Sequence, residues 1–250
     1  MIFVVICVGC LAIYIYHSWF RRRKSTPKLF YGDSKLHEYI INKVPRLKEP
    51  YTPPLGLGNR HLHTIICCLE FSPLNYKREN VHLPDGGLAS LDWLDNEACL
   101  TDTSPVLVVI PGVGGGKEGI NKVCKMAAGR FRVVVFNRRG HCGSLLTTPR
   151  LQCFGETSDF RYCVEHIHRK FPKAAMAGVA YSAGTAVLSR NRGHEYQRPN
   201  WMLVTTEKGG HCGFIENYKL ESWAGKLAVD YIDAVLEYQD AREEDITLKC

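Results

Sequence analysis

Three uninterrupted apolar runs constrain the fold of this chain more than any other feature of its sequence. They are VLVVI at 106–110, VVVF at 133–136 and AAMAGVA at 174–180. Continuous runs of this length are typical of strands that are buried on both faces in a parallel sheet. Segments with helical spacing separate them, at 119–129 and 156–172. This alternation predicts βαβ units, and therefore an α/β fold with a mostly parallel sheet and flanking helices.

A β-hairpin precedes these runs in our prediction, and one more strand and helix follow them. The alternating segment YKRENVHL at 76–83 leads through the turn residues PDGG into LASLDWLD at 88–95, which indicates two half-buried strands. The segment WMLVTT at 201–206 predicts the last strand. The segment WAGKLAVDYIDAVLEYQ at 223–239 predicts an amphipathic last helix.

The amino terminus has the composition of a membrane anchor. MIFVVICVGCLAIYIYHSWF carries no formal charge, and as a helix its twenty residues reach about 30 Å, the thickness of a bilayer's hydrocarbon core. Because RRRK follows at 21–24, the positive-inside rule places the rest of the chain in the cytoplasm. We predict one transmembrane helix over 1–20, single-pass, in the endoplasmic reticulum or another internal membrane. A cleaved signal peptide is the alternative, but no positive n-region precedes the apolar stretch and no small-x-small cleavage site follows it.

Residues 21–70 are a basic, Pro-rich connector with one short helical stretch near 36–44. The net charge of the chain is +7, and it falls to +3 without the four charges of RRRK, so we expect no nucleic-acid partner. The eleven cysteines are scattered and odd in number, which argues against a disulfide framework and favours a reducing compartment.

Ser182 is the candidate nucleophile. It lies in AYSAG, directly after the third apolar run. In a nucleophile elbow the serine occupies a tight strand-to-helix turn, and small residues two positions before and after it let the backbone fold sharply. Ala180 and Gly184 hold those positions. An ordinary turn between a strand and a helix is the alternative, because the short motif is common by chance.

The glycine-rich stretch PGVGGGKEG follows the first apolar run and suits an oxyanion hole. The backbone N–H groups of Val113 and Ala183 are the expected donors. A phosphate-binding P-loop requires Gly six residues before the Lys and Ser or Thr after it, whereas Lys117 has Pro111 and Glu118 there. A flexible turn with no binding role is the remaining alternative.

His211 is the candidate general base. It follows the predicted last strand in the Gly-rich segment TTEKGGHCGF, and a histidine on such a loop can accept the serine proton. A surface histidine without a catalytic role is the alternative. Other histidines are weaker candidates for the general base. His166 and His168 face different directions on one helix, and His61 and His63 lie in the connector.

No metal site or cofactor site is expected. The His-Cys pairs at 141–142 and 211–212 have no second pair at the spacing that zinc requires.

These motifs resemble the membrane-anchored α/β-hydrolase-domain (ABHD) family, in its branch of lipid esterases and phospholipases. The resemblance covers 1–190 and 199–240, and it includes the anchor, YTPP, VLVVIPGV, VVVFNRRG, LLTTPR and the serine motif. Its most specific parts are DGGLASLDWLDN and GGHCGF. It implies an AB-hydrolase fold over 71–250, a Ser-His-Asp triad, and hydrolysis of phospholipids or acylglycerols at membranes. Within the motifs, Ser182 matches the nucleophile and His211 matches the base.

One part of the family pattern is missing. In the family a long segment between the serine motif and the GGHCGF motif carries a cap, two strands and the acid of the triad. Here Ser182 and His211 are 29 positions apart, and the only acidic residues between them are Glu195 and Glu207. We therefore predict a truncated AB-hydrolase fold with an internal deletion near 191–199.

Two consequences of the deletion are expected. The last strand either moves inward beside the 174–180 strand or leaves an exposed sheet edge. The histidine lacks the carboxylate that orients it, so catalysis is impaired in this form.

The sequence thus predicts a membrane-associated serine hydrolase of lipid carboxylic esters, with lipid and membrane as partners. The alternative is a non-catalytic, membrane-tethered binding protein with the same fold.

Overall fold

The computed structural model describes residues 2–21, 25–69, 73–95, 100–113, 119–153, 155–191 and 202–247. The chain divides into two compact units. The first unit combines 1–68 with 198–250, and the second unit comprises 69–197.

The helices and strands of the described residues follow one another in this order. They are α1 (Ile2–Arg21), β1 (Lys28–Tyr31), α2 (Lys35–Lys43), a 3₁₀ turn (Pro45–Leu47), α3 (Arg60–Cys68), β2 (Tyr76–His82), β3 (Leu88–Leu94), β4 (Val106–Ile110), α4 (Asn121–Ala127), β5 (Arg132–Asn137), α5 (Ser158–Lys170), β6 (Met176–Ala180), α6 (Gly184–Asn191), β7 (Met202–Thr205) and α7 (Trp223–Thr247). The last helix extends beyond its predicted end at 239.

A five-stranded sheet forms the centre of the second unit, with strand order β2-β3-β5-β4-β6. Strand β4 pairs in parallel with both β5 and β6, whereas β3 pairs antiparallel with both β2 and β5. Four of the five strands therefore run in one direction. The prediction of an α/β fold with a mostly parallel sheet is confirmed, and α4, α5 and α6 pack against this sheet.

Burial in the sheet follows each strand's place in the strand order. Strands β4 and β5 are buried at every residue, as their apolar runs predict. Strand β3 is also buried throughout, not half-buried as predicted, because it lies between β2 and β5. The prediction that β6 is buried is wrong, since all its residues are half-buried. Strand β6 ends the strand order and pairs only with β4 among the described strands.

The polar residues of β3 are buried but paired. Asp92 is fully buried and accepts hydrogen bonds from Arg78 Nε at 2.7 Å and Asn137 Nδ2 at 2.9 Å. Ser90 donates to Asn80 Oδ1 at 2.9 Å and accepts from Ser144 Oγ at 2.8 Å. These bonds satisfy groups whose burial without partners is unfavourable. They join β2, β3, β5 and the segment after β5 across the sheet.

Arg139 carries the most enclosed ion pairs of the second unit that we describe. Its side chain is 2% exposed, and its guanidinium donates to Asp159 at 2.6 and 2.8 Å and to Asp85 at 2.8 and 2.9 Å. These hydrogen bonds lower the pKa of Asp85 to about 2. A Cβ at Gly87 would lie 2.5 Å from Arg139 Cζ, so only glycine leaves room for the guanidinium. The segment PDGG is thereby fixed to the segment after β5.

The first unit contains a two-stranded antiparallel sheet of β1 and β7, in which Leu29 pairs with Val204. The last predicted strand therefore pairs with β1 and not with β6.

Helix α2 forms where the sequence predicts a short helix, and Ser34 Oγ accepts a hydrogen bond from His37 N at 3.2 Å at the start of the helix. Helices α2 and α7 pack together around Ile40, Val44, Leu47 and Ala234.

The prediction of a transmembrane helix over 1–20 is not supported by the described residues. Helix α1 forms over the predicted segment, and many of its apolar side chains are exposed, including Phe3 at 78% and Ile13 at 64%. In the part of the chain that the structure describes, no helix combines the length and the apolar character needed to cross a membrane.

The substitution Asp159→Asn tests the ion pairs of Arg139. Because Asp159 is 4% exposed, its loss removes the buried one of the two carboxylates that bind Arg139 and leaves the buried guanidinium paired with the partly exposed Asp85, so we expect the free energy of unfolding to fall by about 3 kcal/mol. The control Asp85→Asn should cost less, since that carboxylate is 36% exposed. Urea unfolding followed by circular dichroism measures both variants. Equal losses in the two would contradict this account.

Candidate active site

Ser182 lies at the sharp turn between β6 and α6. Its φ angle is +50°, a left-handed conformation that non-glycine residues rarely adopt. A strained strand-to-helix turn of this kind exposes the hydroxyl of a nucleophile elbow at the end of the sheet. The structure thus places Ser182 in the backbone geometry that the motif requires. Its role as the nucleophile stays a prediction.

Backbone hydrogen bonds hold this turn against the end of β4. Tyr181 N donates to Ile110 O at 3.0 Å, and Gly184 N donates to Tyr181 O at 2.8 Å. A Cβ at Gly184 would lie 2.6 Å from Pro111 O and 2.7 Å from Ile110 O. Contacts this close to backbone oxygens leave no room for a side chain. Glycine at this position therefore lets α6 begin directly against β4.

The loop after β4 lies beside the serine. A Cβ built on Gly112 would be 3.1 Å from Ser182 Cβ and 3.6 Å from Ser182 Oγ. Ala183 follows the serine directly, and Val113 follows Gly112 with its side chain 54% exposed. The predicted nucleophile and the segments that carry both predicted oxyanion donors therefore share one end of the sheet. The donor roles of Val113 and Ala183 stay predictions.

Arg138 fixes the orientation of the loop after β4, a role that we did not predict. Its Nη2 donates to Gly112 O at 3.0 Å and to Val113 O at 3.3 Å. The C=O of Gly112 and the N–H of Val113 belong to one trans peptide and point in opposite directions. By binding that carbonyl, Arg138 sets the direction of the Val113 N–H. Burial lowers the pKa of Arg138. In the sequence, Arg138 is marked only by its place directly after β5 and within the motif VVVFNRRG.

His211 lies in the first unit, on an exposed loop after β7. Its backbone N donates to Thr64 Oγ1 at 2.9 Å. Within the same loop Gly210 N donates to Gly213 O at 2.6 Å, and Cys212 has a φ of +59°. Ser182, Ala183 and Val113 belong to the second unit. A catalytic contact between Ser182 and His211 therefore stays a prediction.

The structure describes one of the two acidic residues that lie between Ser182 and His211 in the sequence. Glu207 lies on the loop after β7, is exposed, and its backbone N donates to Ser25 Oγ at 2.9 Å. Glu195 lies outside the described residues, as do 192–199 of the predicted deletion near 191–199. Of the residues with described positions, no three His, Cys, Asp or Glu are grouped so that they could hold a metal ion.

Several known proteins with similar sequences are lipid hydrolases by name. The chain is 29% identical over 216 residues to phospholipase ABHD3 of Homo sapiens, covering 82% of this chain and 52% of that protein. It is 33% identical over 208 residues to monoacylglycerol lipase of Saccharomyces cerevisiae, covering 64% and 46%. The chain thus spans about half the length of the curated relatives it matches. The chain is therefore similar in sequence to AB hydrolase proteins.

No protein-family model matches the chain. Among solved structures, it is similar to the Pyrococcus furiosus esterase Pf2001, with a TM-score of 0.40 and 17% identity, covering 49% of this chain and 48% of the esterase.

The substitution Gly184→Ala tests how closely α6 approaches β4. The added methyl group must displace backbone, so we expect the free energy of unfolding to fall by about 2 kcal/mol. The matched control is Gly129→Ala, at a position where a Cβ meets nothing within 4 Å, and its effect should stay within about 0.5 kcal/mol. Urea unfolding of both variants measures the difference. Equal stability of the two variants would show that the turn is loosely packed.

Proposed function

We propose that this chain is a serine hydrolase that cleaves carboxylic ester bonds of lipids. The observation that carries the proposal is the left-handed backbone of Ser182 at the turn between β6 and α6, with Gly112 alongside its hydroxyl. The AB hydrolase relatives support the same reaction class.

The proposed reaction has two halves, each a transfer of the acyl group. Ser182 Oγ bonds to the ester carbonyl carbon while its proton passes to His211, and the N–H groups of Val113 and Ala183 stabilise the oxyanion. The ester C–O bond then breaks, and His211 returns the proton to the leaving alcohol. In the second half, water attacks the acyl-serine and gives its proton to His211. The fatty acid leaves, and Ser182 regains its proton.

The proposed substrate is a phospholipid or an acylglycerol. Two relatives are named for these substrate classes, a phospholipase and a monoacylglycerol lipase. Exposed apolar side chains on α1, such as Phe3, Val4 and Ile13, support association with a lipid surface. The basic run at 21–24 favours the cytoplasmic face of an internal membrane, because anionic lipids there attract basic side chains.

We propose that turnover is slow in this form. No Asp occurs between Asp159 and Asp230, although a triad of the order Ser-Asp-His places its acid between serine and histidine. Without a carboxylate partner the imidazole is less well oriented. In serine proteases with a Ser-His-Asp triad, changing that Asp to Asn reduces kcat about 10⁴-fold. The same observation favours the second candidate function, a membrane-tethered binding protein without catalysis.

Fatty-acid release from vesicles tests the proposal. The full chain is mixed with phosphatidylcholine vesicles that contain monoacylglycerol, and free fatty acid is measured over time. We expect slow release that Ser182→Ala reduces to the level of vesicles alone, because no other group is proposed to attack the ester. The control Ser189→Ala removes the hydroxyl of an exposed serine on α6 and should leave release unchanged.

Two outcomes would reject the hydrolase. One is release by Ser182→Ala at the rate of the unsubstituted protein. The other is no release by folded protein that co-sediments with the vesicles, a result that selects the binding protein instead.

A further inference from the structure

We infer that helix α3 sets the position of His211, and that Thr64 and His63 act as positioning residues for it. This inference rests on the proposed function, in which His211 is the general base. All the contacts that carry it lie within the first unit. The contacts join α3 to the segment 210–215, which we call the histidine loop.

Thr64 holds the backbone of His211 itself. The Thr64 hydroxyl donates its one proton to Arg60 O at 3.1 Å, in the preceding turn of α3. Its oxygen is thereby oriented as an acceptor, and it receives the hydrogen bond from His211 N at 2.9 Å. His211 is exposed, and the backbone of the histidine loop carries its imidazole.

His63 holds the far end of the histidine loop. It is 1% exposed. In the neutral ring whose Nε2 donates to Leu57 O, Nδ1 accepts the hydrogen bond from Ile215 N at 3.2 Å, and Gly213 O lies 3.3 Å from the same Nδ1. Burial lowers the pKa of His63 and so favours the neutral ring that this arrangement needs. Tyr51 Oη donates to Ile215 O at 3.0 Å. Both backbone groups of Ile215 are therefore bound by side chains.

The glycines of the histidine loop allow it to lie directly on α3. A Cβ at Gly210 would be 2.7 Å from Thr64 Oγ1 and 2.8 Å from His63 Cβ. A Cβ at Gly213 would be 2.7 Å from the backbone carbonyl carbon of His63. Between these two glycines, Cys67 Sγ donates to Cys212 O at 3.3 Å. The spacing of GGHCGF thus matches the surface of α3, with one glycine on each side of His211 and Cys212.

The test compares Thr64→Val with Thr64→Ser in the full chain. Valine keeps the shape of threonine and removes the acceptor of His211 N–H, whereas serine keeps the acceptor. The first measurement is the rate at which a fluorophosphonate labels Ser182. We expect Thr64→Val to lower the maximal labelling rate about tenfold without changing the half-saturating probe concentration. Thr64→Ser should stay within about twofold, as should Ile65→Val, an exposed neighbour on α3.

The second measurement is amide hydrogen exchange over 209–215, which needs no activity. Thr64→Val should accelerate exchange in the histidine loop several-fold, and Thr64→Ser should not. His63→Leu removes the acceptor of Ile215 N–H and should accelerate exchange most at 213–215. If His63→Leu does not fold, the exchange rates of the two Thr64 variants alone test whether α3 positions the histidine loop.

The outcomes separate this inference from the proposed function. Slower labelling and faster exchange in Thr64→Val, both restored in Thr64→Ser, support the inference. Unchanged labelling and unchanged exchange in Thr64→Val overturn it. If the folded, unsubstituted protein is never labelled, the proposed function fails, and exchange alone decides whether α3 fixes the histidine loop.

Discussion

The left-handed backbone of Ser182 is the constraint on which the functional interpretation of this structure depends. A non-glycine residue in this region is unfavourable by about 1–3 kcal/mol, and it persists only where the surrounding structure determines it. Here the surroundings are Tyr181, bonded to Ile110 O, and Gly184, packed against the backbone oxygens of Ile110 and Pro111. The strand β4 therefore acts as the support for the turn.

A second set of buried interactions supports the same end of the sheet. Arg138 and Arg139 are neighbours directly after β5, and both are buried, yet they bind different groups. Arg139 joins Asp85 of the hairpin turn to Asp159 of α5, while Arg138 binds the carbonyls of Gly112 and Val113. The motifs DGG and NRRG of the family resemblance thus have a physical explanation. NRRG fixes the loop beside the serine through Arg138, and joins the DGG turn to α5 through Arg139.

The strands β4, β5 and β6 of the second unit could be predicted from the sequence, because each is an apolar run that indicates a buried strand without reference to the rest of the chain. The runs at 106–110, 133–136 and 174–180 became β4, β5 and β6. Burial was predicted less well, since β3 and β6 have similar apolar content but different neighbours in the strand order. The pairing of β7 with β1 was missed for a related reason, because no local signal links segments about 175 positions apart.

Ser182 was identifiable as a candidate because its motif is local. Arg138 and His63 were not, because their partners are backbone atoms that only the fold brings near. His63 was set aside with His61 as part of a connector, although α3 begins at Arg60 and holds the histidine loop. The stretch RHLHTIICC forms α3, whereas we predicted only one short helical stretch in this connector, near 36–44.

Locating the covalent adduct of a fluorophosphonate tests the central claim most directly, that the turn after β6 presents an activated hydroxyl. The folded full chain is reacted with the probe, digested, and sequenced by tandem mass spectrometry, with heat-denatured protein treated in parallel. The account predicts one adduct, on Ser182, that denaturation abolishes. Modification of a different serine, or equal labelling of the denatured chain, would contradict it.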